Sequence, residues 1–200
     1  MLQSEAAQIF PPKKGLEIPP ADRQKLRDFH FSHGTVSEGN LVQVVGFIVG
    51  DPHPNSGESV NCGLRGAPDN DFHIPLGAEP PPAGTEFQGI VVEMIPQDRN
   101  SGWTLTKLAD IQARDLKVRV MGQLLYDNPH VPNDNPNHAI GGQPKRMSLW
   151  EVHPITQFLV CMKPGNACDP AKEGEWTLLE DYPEPAHTHA QPPIPDGALR

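Results

Sequence analysis

The sequence predicts an all-β (β-rich) fold, a small five-stranded barrel with one short helix between the third and fourth strands. Three observations predict it. Val- and Ile-rich runs with period-two alternation dominate, and the helix-period stretches are few and short. The 24 prolines and 18 glycines among 200 residues punctuate those runs with turns and irregular connections. The apolar fraction is 36%, which suits one modest core rather than an extended hydrophobic interior.

Each element has its own justification. Residues 40–50, "NLVQVVGFIVG", read as the first strand, with Gly46 placed for a bend or a close approach. Residues 71–76, "DFHIPL", alternate: Phe72, Ile74 and Leu76 on one face, Asp71 and His73 on the other. Residues 86–96, "EFQGIVVEMIP", form a third strand that Pro96 ends. In residues 101–113, Ser101 is the expected helix cap, and Trp103, Leu105, Leu108 and Ile111 suit one apolar stripe. Residues 116–127, "LKVRVMGQLLYD", give the fourth strand with Gly122 mid-run, and residues 148–161, "SLWEVHPITQFLVC", give the fifth. Three strands, a helix and two strands is the element order of an OB-like barrel. Glycines inside the first and fourth strands fit the coiling that closes so small a barrel. Another small barrel or an open β-sandwich are the competing architectures.

The barrel is expected over residues 34–161, between an N-terminal arm (1–33) and a Pro-rich C-terminal extension (162–200), both irregular. The arm holds "FPPKKGLEIPP" and room for one short helix. The extension ends in "YPEPAHTHAQPPIPDGALR", a polar tail expected to be mobile.

Charge narrows the function classes. The net charge is −9. The arm carries five basic against four acidic residues, the barrel eight against fourteen, and the extension three against seven. No segment is strongly basic, so generic nucleic-acid binding is disfavoured. The expected platform, strands two and three, offers Phe72, His73 and Phe87 but no lysine or arginine for a single strand to follow. No run approaches the roughly 20 apolar residues needed to span a membrane. The start "MLQSEAAQIF" has neither the basic nor the apolar part of a signal peptide. A periplasmic or secreted location is expected if a signal has been removed, and a cytoplasmic one otherwise. Among the three cysteines, Cys161 and Cys168 flank a Pro/Gly turn. A disulfide between them and a pair of reduced thiols are both open, and Cys62 stands apart.

Two polar pairs on strands carry the chemistry. Asp71 and His73 lie opposite the apolar face of the second strand. Glu151 and His153 repeat that arrangement on the fifth, opposite Trp150 and Val152. Pro154 follows, where a bulge would re-aim His153. Each pair reads either as a solvated strand face or as a ligand or acid–base pair, and for Glu151 and His153 a hydrogen bond that only ties down the long loop is a further alternative. Tyr126, Asp127 and His130 leave the fourth strand, and Arg146 returns toward the fifth. Asp127, His130, Arg146, Glu151 and His153 are therefore expected to converge. Imidazoles with a carboxylate are a common ligand set for zinc, iron or copper, although no HExxH-type spacing is present.

The motifs as a set resemble a family of bacterial OB-fold-like proteins. They are the glycine-centred first strand (Gly46), the Cys62 segment, Asp71-x-His73, Glu93 with Pro96, the run from Gly122 to His130, and Trp150 to Pro154. The resemblance spans roughly residues 40–161 and implies no particular reaction. Val60 stands where similar proteins carry the first cysteine of C-N-C, so a role for that pair is not transferred. Similar proteins look exported, which the resemblance extends to this chain.

Two expectations follow. The first is a binding module for a small ligand or protein, with Asp71, Tyr126 and Asp127 in contact with it. The second is a metal-dependent hydrolase or nuclease-like enzyme. There His73, His130 and His153 hold the metal, Glu93 or Glu151 serves as general base, and Arg146 stabilises developing negative charge.

Overall fold

The computed structural model describes residues 18–19, 22, 24–25, 28, 36–55, 69–127, 146 and 148–185. His130 and Cys62 lie outside the described residues. The elements are β1 (Leu41–Ile48), β2 (His53–Pro54), β3 (Phe72–Gly77), β4 (Ile90–Met94), α1 (Leu105–Ala113), β5 (Val118–Tyr126), β6 (Trp150–Cys161) and β7 (Trp176–Leu178). Strands pair in the order β1-β5-β6-β4-β3, and β3 returns to β1, which closes a five-stranded barrel. All pairs are antiparallel except β4 with β6, which meet parallel at Val92 and Val152. The predicted OB-like architecture is the observed one, with α1 between the third and fourth barrel strands.

Closure depends on β1 changing partners. Residues 41–46 pair with β5, and Phe47 and Ile48 pair with β3. Gly46 sits at the changeover, where an added Cβ would lie 2.5 Å from the carbonyl oxygen of Gly77. That is too close for any side chain, so the close approach suggested by the sequence is what the glycine provides.

Alternation delivers Ile48, Ile74, Leu76, Val92, Met94, Val118, Val120, Val152, Ile155 and Phe158 to one core, and Leu108 and Ile111 of α1 join it. Each such side chain contributes on the order of 1.5–3 kcal/mol when taken fully out of water. The helix starts later than its sequence suggested. Thr104 is the cap: its backbone is extended and its hydroxyl accepts from the Lys107 N–H at 3.2 Å. Ser101 lies in the preceding turn, and Trp103 packs in the core just ahead of the helix.

Residues 162–185 of the C-terminal extension are tied to the barrel. Cys161 and Cys168 form a disulfide, β7 pairs with the end of β6, and Leu179 and Tyr182 enter the main core. Trp103 Nε1 donates to Glu180 at 2.8 Å, and the buried Lys107 ammonium donates to the carbonyls of Leu179 and Glu180 at 3.3 and 2.9 Å. Such contacts hold this part of the chain in place, and no composition-based reading would locate them. Among the described residues no helix is long and apolar enough to cross a membrane.

A candidate metal centre on the outer face of the barrel

The alternation that sends Phe72, Ile74, Val92, Met94 and Val152 inward turns His73, Glu93, Glu151 and His153 outward. Register then aligns them across strands. His53 on β2 pairs with His73 on β3, and His73 pairs with Glu93 on β4. The parallel Val92–Val152 pair sets Glu93 beside the Glu151–His153 segment of β6. A polar row thus crosses β2, β3, β4 and β6.

The solvated-face reading does not hold for His73 and Glu151, whereas Asp71 and His153 stay partly exposed. His73, Glu93 and Glu151 are only 7%, 4% and 3% exposed, and Arg146 is 1% exposed. The physical reason lies in the neighbours, which alternation cannot reveal. Strand β2 lies beside β3, and the Arg146 guanidinium covers the β6 end. Arg146 Nη1 donates to Glu151 Oε2 at 2.8 Å, and Nη2 donates to Asp127. Burial alone would lower the Arg146 pKa, but Glu151 and Asp127 outweigh it and raise it.

Glu93 is the hub. Its Oε1 lies 2.8 Å from His73 Nε2, and its Oε2 lies 3.1 Å from His153 Nδ1. His73 and His153 therefore stand on one side of the barrel, joined by a single carboxylate. His153 Nδ1 also lies 3.3 Å from Glu151 Oε1, and its Nε2 lies 3.7 Å from Asp71 Oδ2. Burial opposes the charged imidazolium, but the hydrogen bond to Glu151 and the charges of Glu93, Glu151 and Asp71 push the His153 pKa up to about 9. At neutral pH the ring carries two N–H groups, each directed among carboxylates.

Backbone irregularity aims that ring. The β5–β6 register shifts twice, between Met121 and Gly122 and between Gly122 and Leu124, so β6 carries extra residues around His153 and Pro154. The bulge suggested by Pro154 is present. Gly122 permits it, because a Cβ there would meet the Pro154 carbonyl oxygen at 2.4 Å and Ile155 Cα at 2.7 Å.

Asp71, Glu93 and His153 each offer one ligand atom, and the three atoms lie within 4.8 Å of one another. Ligands on a tetrahedral ion at bond lengths of 2.0–2.2 Å sit about 3.4 Å apart, so the 3.7 Å separation of His153 Nε2 and Asp71 Oδ2 is close to a ready-made ligand edge. Tyr126 belongs elsewhere: its ring packs on Trp150, with centroids 5.1 Å apart, in a second apolar cluster with Leu124 and Leu149. Burial pushes its hydroxyl pKa up to about 12.

Three neighbours of the row escaped the sequence reading. His53 lies 5.8 Å from His73 between ring centroids, and Asn55 reaches His73 Nε2 at 3.1 Å. Both sit on or beside a two-residue strand, too short to leave a periodic signal. Arg99 lies over the Phe72 ring at 3.7 Å. It donates to the carbonyls of Asn70 and Met94. Burial lowers its pKa, with Asp71 acting in the opposite direction. Comparison with protein-family models, with curated proteins and with solved structures returned no significant match for this chain.

Proposed function

We propose that the protein is a barrel-type binding module whose outer polar row holds a divalent transition-metal ion through Asp71, Glu93 and His153. The observation that carries the reading is the convergence of three ligand atoms from separate positions on β6, β4 and the entry to β3. A nitrogen with two carboxylate oxygens suits zinc, iron or copper rather than an all-oxygen calcium site. Glu151, held by Arg146, accepts from His153 Nδ1 and orients the ring, as outer carboxylates do for metal-bound imidazoles. The ion takes the place of the proton that the three carboxylates otherwise hold on His153.

The hydrolase reading has less support from the same residues. Arg146 would have to face a substrate's developing negative charge, but its guanidinium is buried between Asp127 and Glu151. The buried Cys161–Cys168 disulfide supports a place in an oxidising compartment, the periplasm or outside the cell.

Elemental analysis of the untagged full chain tests the proposal. Metal-supplemented preparations should retain about one equivalent of zinc, iron or copper at this site, removed by Asp71→Asn or His153→Ala. Retention below about a tenth of an equivalent would sink it, because a preformed ligand set should retain its ion far better than that.

A further inference from the structure

The other end of Glu93 poses a separate problem. Its Oε1 lies 2.8 Å from His73 Nε2, and the side-chain amide nitrogen of Asn55 lies 3.1 Å from the same ring nitrogen. An imidazole nitrogen carries either one proton or one lone pair. If Nε2 carries the proton, it donates to Glu93, and the Asn55 NH2 opposes it donor to donor. If Nε2 carries the lone pair, it accepts from Asn55 but turns that lone pair toward the carboxylate oxygen. Rotating the amide so that its oxygen faces inward lets one N–H be shared by two acceptors, and it also turns an amide oxygen toward the carboxylate and the ring nitrogen. With the ring nitrogen unprotonated, the same three groups present a set of electron-pair donors to a cation. An imidazole lone pair, a carboxylate oxygen and an amide oxygen are all donors to a metal, and the spacing suits one. Ligands at right angles in an octahedral site, on bonds of about 2.1 Å, lie about 3.0 Å apart, between the 2.8 and 3.1 Å observed.

We propose that the row holds a second divalent ion between His73 Nε2, Glu93 Oε1 and the Asn55 side-chain oxygen, so that Glu93 bridges two ions. The proposal rests on the metal reading of the Asp71–Glu93–His153 site. The two ions have unequal surroundings. One has two carboxylates with His153, and the other has a single carboxylate, an amide and His73. A carboxylate bridge of this kind belongs to paired-ion centres, where the metals stand about 3.5–4 Å apart. The second ion enters from the β2 side, where the exposed His53 stands next to Asn55.

Titration of the untagged full chain with Mn2+, followed by stoichiometry and electron paramagnetic resonance, tests this. A background carrying His187→Ala and His189→Ala removes the imidazole pair of the C-terminal tail. The expected result is two ions per chain with an exchange-coupled spectrum. Asn55→Ala, at a half-buried position, should leave one ion and an uncoupled six-line spectrum. Asp71→Asn should also leave one ion, at the other half of the row. One ion per chain, lost in Asp71→Asn and indifferent to Asn55→Ala, overturns the second site and leaves the first intact. Two ions that both persist in Asn55→Ala and in His73→Ala also overturn it. No bound ion at all, with zinc as well as with Mn2+, overturns both readings.

Discussion

Two buried arginines on the same barrel are partnered in opposite ways. Arg119, on β5, is fully buried beneath the segment that follows the disulfide. It donates to the Pro170 carbonyl at 2.8 Å and to Glu173 at 2.5 Å, and it lies 5.3 Å from the Trp176 ring. Its carboxylate partner is 72% exposed, so water shares the task of solvating that charge. Arg146 lies between Asp127 and Glu151, both largely withdrawn from water. Removing Arg119 would strand no buried anion, whereas removing Arg146 would strand at least one. A buried cation thus fastens a peripheral strap in one place and keeps a buried anionic row electrostatically tolerable in the other.

The sharpest break of the comparison is Arg146→Met. Loss of the cation leaves Glu151 buried beside Glu93, and stability should fall by about 3–5 kcal/mol in chemical denaturation. Adding Glu151→Gln and Asp127→Asn should recover more than half of that loss. Failure to recover would mean that packing, rather than charge, makes Arg146 matter. The strap side should respond less. Replacing Cys161 and Cys168 together by alanine reopens a short loop and should cost about 2–3 kcal/mol by the chain-entropy estimate, read in the same denaturation experiment.

A pH scan of metal-stripped protein separates the two regions further. The folded state raises the His153 pKa from 6.5 to about 9. Its stabilisation is therefore fully present below pH 6.5 and is lost as pH rises through about 9. The loss should be about 3 kcal/mol and absent in His153→Gln. Nuclear magnetic resonance titration of the His153 ring should report a midpoint near 9, and a midpoint at or below 6.5 would contradict the electrostatic description. The smallest effect belongs to Arg119→Met. It keeps the apolar stem over Trp176 and lets Glu173 remain in water, so it should cost about 1 kcal/mol.

The barrel was legible because its signals are local. Alternation in residues 71–76, the glycines at 46 and 122, and the helix-period stripe of Leu108 and Ile111 each report on their own element. The site was legible only in part. Alternation grouped Asp71 with His73 and Glu151 with His153, and Pro154 flagged the bulge. Nothing in one strand can say that β4 and β6 run side by side in parallel, which is what gives both histidines the same Glu93. Nor could the sequence foretell burial of the row, because Arg146, Asn55 and His53 approach it from other parts of the chain. Asn55 and His53 lie among prolines where no periodicity forms. Trp176 and Leu179 lie past the disulfide, where pairing with β6 depends on tertiary contacts rather than propensity.

The parallel seam also has a kinetic meaning. Val92 and Val152 meet across about sixty residues of chain, whereas β3 and β4 are near neighbours in sequence. Pairings so distant form after local ones, since their loop-closure entropy is offset only once neighbouring structure is in place. Glu93 and His153 therefore become neighbours only when that seam closes. A probe of their encounter during refolding, such as the rate at which high-affinity metal uptake appears, would time the completion of the barrel rather than its beginning.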